Sequence, residues 1–151
     1  MIVRMDITNS RIAEEVLAIQ LESYKVEADL IGYDQLPPLM DSVKRLQTCG
    51  ETFFGFYLNE ELNGVISIKV HHNVIDIHRL MVHPQHLKKG IAQELLGFIE
   101  NNVKHSESII VSTGSLNTPA INFYLKNGFS KTGVIEMNEN LSITSFEKKL
   151  K

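Results

Sequence analysis

The segment Leu80-Met81-Val82-His83-Pro84-Gln85-His86-Leu87-Lys88-Lys89-Gly90-Ile91-Ala92 reads as a strand that ends in a proline-marked loop and enters a helix through a glycine. The first N–H groups of a helix lack partners within it and lie at the positive end of its dipole, so a loop of this shape suits a pyrophosphate. Lys88 and Lys89 add positive charge there. No Gly-x-Gly-x-x-Gly run and no Gly-x-x-x-x-Gly-Lys run occurs, which leaves a dinucleotide fold and a nucleotide-hydrolysing loop without support. A second segment, Asn117-Thr118-Pro119-Ala120-Ile121-Asn122-Phe123-Tyr124-Leu125-Lys126-Asn127-Gly128-Phe129, carries a phenol at Tyr124 and a carboxamide at Asn117. A third holds Asp76 and His78, which strand alternation puts on one face together with Leu80. A carboxylate and an imidazole with a pKa near 6.5 are groups that accept protons.

Two other chemistries are set aside. His71, His72, His78, His83 and His86 lie close in sequence, but His83 and His86 straddle a proline loop instead of standing at i and i+4 on a helix, and no carboxylate cluster accompanies them, so no metal site is expected. Cys49 precedes a strand and reads as a small buried hydrophobe. As the one cysteine it can form neither an internal disulfide nor a multi-thiolate site, which fits a reducing compartment.

The elements that must position these residues follow from periodicity and punctuation. Met1 to Met5 reads as a strand, and Thr8, Asn9 and Ser10 cap a helix whose core face is Ile12, Val16 and Ile19. After Pro37-Pro38, Leu39, Val43 and Leu46 predict a second helix up to Gly50. Phe53 to Leu58, Val65 to Val70 and Val74 to Val82 predict a three-strand antiparallel meander. Gly90 to Val103 is helical, with Ile91, Leu95, Phe98, Ile99 and Val103 on one face. Ser108 to Thr113 is β-branched, of the kind buried on both faces. Thr118 followed by Pro119 marks an N-cap and first helical turn, Gly128 ends that helix, and Phe129 to Glu136 and Leu141 to Leu150 close the fold as strands. The order predicts an α+β class with a mixed, largely antiparallel sheet of six to seven strands and about four helices over both faces.

The motifs Val82-x-Pro84, Gly90-x-Ala92 and Asn117-x-x-Ala120-x-x-x-Tyr124-x-x-x-Gly128-Phe129, in this order and at this spacing, resemble the GCN5-related N-acetyltransferase (GNAT) family. The likeness covers nearly the whole chain, and the predicted element order is GNAT-like. It implies transfer of an acetyl group from acetyl-CoA to a primary amine by direct attack on the thioester, with no metal. By resemblance, Leu80, Met81 and Val82 supply a backbone N–H to the thioester carbonyl, and Leu87, Lys88, Lys89, Gly90, Ile91 and Ala92 hold the pyrophosphate. Asn117 contacts the coenzyme, Tyr124 protonates the leaving thiolate, and Asp76 or His78 serves as base, although some members work without one. The family's Gln or Arg three residues before the first glycine is Leu87 here, which still offers its backbone N–H. Tyr24 and Tyr33 fall in the region that resembles the acceptor-binding helices. A non-catalytic acyl-CoA-binding sensor is the alternative reading. The resemblance leaves the acceptor open among small-molecule and peptide amines, and is compatible with a homodimer.

The composition is that of one globular domain. The chain has 151 residues, a hydrophobic fraction of 43% and a net charge of −3. That charge disfavours a nucleic-acid partner. No apolar run reaches the roughly 18 residues of a membrane span, so no membrane partner is expected and a cytoplasmic location is. The charges are unevenly placed: Ile12 to Gly64 holds ten acidic and three basic residues, a net of −7, and the remainder nets +4. This favours a cationic acceptor at the acidic half and the polyanionic coenzyme at the basic half.

Overall fold

The computed structural model describes residues 1–150. In chain order the elements are β1 (Ile2–Met5), α1 (Ser10–Ile31), a 3-10 turn (Pro37–Met40), α2 (Val43–Thr48), β2 (Thr52–Leu58), β3 (Glu61–His71), β4 (Val74–Val82), a 3-10 turn (Pro84–His86), α3 (Ile91–Asn102), β5 (Ser108–Gly114), α4 (Thr118–Lys126), β6 (Ser130–Asn138) and β7 (Leu141–Lys149). The strands form one sheet in the order β1-β2-β3-β4-β5-β7-β6. Every neighbouring pair is antiparallel except β4 and β5. This is the α+β architecture predicted above.

Local chemistry explains the meander. The turns Asn59-Glu60 and His72-Asn73 both hold positive φ at both residues, the conformation that matches the right-handed twist of two-residue hairpins. Helices cover both faces of the sheet. On one, Val16 and Ile19 of α1 and Leu46 of α2 pack with Phe53, Val65 and Met81. On the other, Ile91, Leu95 and Ile99 of α3 and Tyr124 of α4 pack with Ile66, Ile75, Ile77, Ile109, Val111 and Phe146. Gly64 on β3 lets α3 lie close: a Cβ there would come 2.7 Å from Ile91 Cγ2.

Several sequence expectations need correction. The second helix is broken into the Pro37–Met40 turn and the short α2, because Ser42 caps a new start through its hydroxyl, which accepts from the Arg45 N–H. The cap of α4 is Asn117 and not Thr118, since the Asn117 side chain reaches the Ala120 N–H. β5 is buried on one face only: Ile109 and Val111 pack in the core with α3 and α4, whereas Ile110 and Ser112 on the other face are exposed.

Candidate active site

The site is made by two irregularities in β4. Ser67 of β3 faces Arg79 and the next residue, Ile68, faces Ile77, so His78 is an extra residue in the strand, a β-bulge. The bulge breaks alternation. Asp76 and His78 stay on the α1 side with Arg79 and Met81, while Leu80 turns to the α3 side with Ile77 and Val82. The expectation that Asp76, His78 and Leu80 share a face is therefore wrong, and the inserted residue is the reason.

The second irregularity is a splay. β4 pairs with β5 only from Val74–Ser108 to Ile77–Val111, although the strands run on to Val82 and Gly114. The His83 N–H donates to the Asn63 carbonyl on β3 at 2.8 Å. N–H directions alternate along a strand, so the N–H groups of Leu80 and Val82 face the gap left by β5. A cleft of about 490 Å³ runs through that gap, with Tyr24 and Glu27 of α1 on one side, Leu87, Lys88 and Ala92 at the start of α3, and Pro119, Ala120 and Tyr124 of α4 along its wall.

At the α3 end, Lys88 and Gly90 both adopt positive φ (65° and 79°), and Gly90 caps the helix without a side-chain hydrogen bond. The first N–H groups of α3 are therefore not taken up by a cap and remain available to an anion. Lys89 Nζ lies 3.0 Å from His86 Nδ1. Ile91 has a buried side chain and can offer only its backbone to a ligand, whereas Met81, with a buried side chain and a backbone that the same alternation turns toward β3, does not face the cleft.

Tyr124 is a core aromatic, 5% exposed, packed on Phe123, Phe129 and Phe146 with ring centroids 5.3 to 5.7 Å apart. Burial, followed by the negative charges possible at Tyr24 and Glu27, pushes its hydroxyl pKa up. It therefore keeps its proton at neutral pH. Asn117 caps α4 with Oδ1, and its Nδ2 donates to Glu27 Oε1 at 2.8 Å and to Thr113 Oγ1 at 3.3 Å. His78 lines the cleft, with Nε2 3.4 Å from Asp76 Oδ2 and Nδ1 3.6 Å from Glu51 Oε2. Asp76 is not in the cleft wall and meets it through His78.

Two features were not found in the sequence. One is a buried polar network around Arg79, which donates from Nε to Glu51 Oε1 at 2.8 Å and from Nη1 to Asp41 Oδ2 at 2.6 Å and to Gln20 Oε1 at 2.8 Å. Gln20 in turn donates to the Pro38 carbonyl at 2.8 Å and Ser67 to Glu51 at 2.6 Å, which joins α1, the Pro37–Met40 turn, β3 and β4 behind the cleft. The other is Glu27, held by burial above the usual carboxylate range, with Asn117 pulling the other way. Its signal was present: Tyr24, Glu27, Ala28 and Ile31 continue the inward stripe of α1 at helical spacing, with a carboxylate in it.

The model of the acetyltransferase (GNAT) family matches residues 14–129. UPF0157 protein YqkA of Bacillus subtilis (strain 168) is 38% identical over 135 residues, which are 89% of this chain and 39% of that protein. The chain thus spans well under half the length of this curated relative. Among solved structures, PaiA N-acetyltransferase from Thermoplasma acidophilum in complex with coenzyme A is similar with a TM-score of 0.74 and 24% identity, over 99% of this chain and 98% of that one. The ribosomal-protein-S18-alanine N-acetyltransferase from Escherichia coli gives a TM-score of 0.79 at 12% identity, over 99% and 93%. At these identities the structures establish a shared fold.

Proposed function

Because this chain belongs to the acetyltransferase (GNAT) family, we propose that it transfers the acetyl group of acetyl-CoA to a primary amine by direct attack on the thioester. One observation carries this reading: a cleft between splayed parallel strands that joins an uncapped helix start to a protonated tyrosine. The pyrophosphate binds the free N–H groups from Leu87 to Ala92, with Lys88 and Lys89 supplying charge. The pantetheine arm fills the gap between β4 and β5, as an extra half-strand would. The N–H groups of Leu80 and Val82 polarise the thioester carbonyl, where fixed donors are worth most because charge develops on that oxygen. Tyr124 protonates the departing sulfur. The amine enters from the α1 side, between Tyr24 and His78.

The deposit of coenzyme chemistry at one end and a cationic acceptor at the other follows the charge split of the chain, −7 over Ile12 to Gly64 and +4 elsewhere. The test is thiol release from acetyl-CoA across a panel of polyamines, aminoglycosides, amino acids and peptides. Release with at least one amine supports the reading. Binding of acetyl-CoA with no release across the panel would instead favour a sensor that keeps the coenzyme site and lacks turnover.

A further inference from the structure

Among the described residues that line the cleft, Glu27 is the one carboxylate. The other charged groups there are otherwise engaged. Arg79 is consumed by Glu51 and Asp41, His78 leans on Asp76 and Glu51, and Lys88 stands at the start of α3. Glu27 Oε1 accepts from Asn117 Nδ2. Its other oxygen, Oε2, lies over Gly114, where a Cβ would come within 3.9 Å of it. Glu27 acts electrostatically on both cleft tyrosines, raising the pKa of the Tyr24 and the Tyr124 hydroxyls. The carboxylate is therefore set among the groups that would surround a reacting nitrogen.

We propose that Glu27 binds the ammonium of the acceptor through Oε2 and takes one proton from it, which makes Glu27 a catalytic residue and selects for cationic amines. This rests on the acetyl-transfer reading above. Asn117 has a double task in it: it caps α4, whose second turn carries Tyr124, and it holds Glu27, so one side chain fixes the positions of the acid and the base relative to each other.

The ammonium gives one proton to Glu27, and its freed lone pair forms the C–N bond with the thioester carbon. The C–S bond breaks with its electron pair on sulfur, which takes the Tyr124 proton. Tyr124 recovers a proton from the nitrogen, and Glu27 releases its own to solvent. Ammonium and thioester become amide, thiol and one free proton. A carboxylate raised by burial accepts that proton more readily than one in water. The titratable groups that share the cleft are Tyr24 on α1, His78 and Arg79 on β4, Lys88 before α3 and Tyr124 on α4.

The test is Glu27→Gln, which keeps an oxygen for Asn117, assayed with the panel amine that the wild-type protein uses best. A fall in kcat/KM of about 10²-fold or more is expected, from the usual worth of general base catalysis. The acid limb set by Glu27 should give way to a rise that continues toward the amine's own pKa, about 10.4 for a lysine-like amine, while affinity for acetyl-CoA is unchanged. Wild-type kcat/KM in Glu27→Gln, or a fall that leaves the acid limb at the pH where the wild-type protein has it, overturns the proposal while acetyl transfer stands. A wild-type protein with no turnover overturns both. Should Glu27→Gln not fold, Glu27→Asp keeps the charge but withdraws it by one methylene, and wild-type kcat/KM in that variant likewise overturns the proposal.

Discussion

Tyr124 does two things that pull its environment in opposite directions: its ring belongs to the core and its hydroxyl to the cleft. The burial that packs the ring also keeps the proton on the oxygen, and in the proposed reaction that proton goes to the leaving sulfur. Tyr124→Phe keeps the packing and removes the proton. It should lower kcat for thiol release by about 10²-fold, with coenzyme affinity retained by calorimetry. Arg79 serves support instead of chemistry. Its side chain is 11% exposed and that of Glu51 is 6% exposed, so Arg79→Ala leaves carboxylates buried without a partner and should cost about 3 to 5 kcal/mol in urea unfolding. For Glu51, burial alone would raise the pKa, but hydrogen bonds from Arg79 and Ser67 and the Arg79 charge outweigh it and hold the group below the usual carboxylate range. A depressed folded pKa contributes stability that is fully present above the unfolded value, about 4.3, and is lost as pH falls through the lower folded value. Glu51→Gln should therefore flatten the acid side of the stability profile, measured by denaturant midpoints between neutral and acid pH; an unchanged slope would contradict this account. Glu27 has the opposite sign. Its raised folded pKa makes burial of the charged form unfavourable at neutral pH, so Glu27→Gln should unfold no more easily than the wild-type protein.

At the scale of elements, strand and helix identities were legible in the sequence and the departures from regularity were not. Alternation along Val74 to Val82 locates the strand but assumes a period of two throughout, and one inserted residue at His78 reverses the faces beyond it. The bulge depends on pairing with β3, which local sequence does not encode. The same limit hid the Arg79 network, whose partners lie 28 to 59 residues away in the chain. Asn117 and Tyr124 stand out through the motif that resembles the family's, which lies within one helix and its cap. Glu27 was missed because its neighbour Asn117 is 90 residues distant. The close approach of α3 to β3 is a further consequence of pairing. With Ile91 Cγ2 2.7 Å and Leu95 Cδ1 3.2 Å from a Cβ at position 64, Gly64→Ala must push the first turn of α3 off the sheet. A loss of about 1 to 3 kcal/mol is expected from overpacking. Acetyl-CoA should also bind more weakly, because in the proposed reading the same turn supplies N–H groups to the pyrophosphate. Thermal unfolding with and without the coenzyme measures both effects, and wild-type values in each would contradict the close packing described here.

For the whole molecule, the charge division matters more than the net charge of −3. The sequence segment from Ile12 to Gly64 is acidic and includes most of α1 and all of α2, on the side from which the acceptor would enter in the proposed reaction; the basic remainder holds Lys88 in the cleft wall before α3, with Lys89 next to it in sequence. Fields of this kind steer charged ligands and are screened within about 8 to 10 Å at moderate salt. With a cationic acceptor, kcat/KM should therefore fall as ionic strength rises, and a neutral or anionic best substrate would contradict the assignment of the acidic half to the acceptor. In the proposed reaction the cleft between β4 and β5 brings an acetyl thioester and an amine together beside Tyr124. Mass spectrometry of the amine after incubation with acetyl-CoA labelled in its acetyl group tests this most directly. The wild-type protein should give labelled amide and free thiol in equal amounts, and Tyr124→Phe a much slower yield. No labelled amide from the wild-type protein with any amine, or equal rates from both proteins, would contradict it.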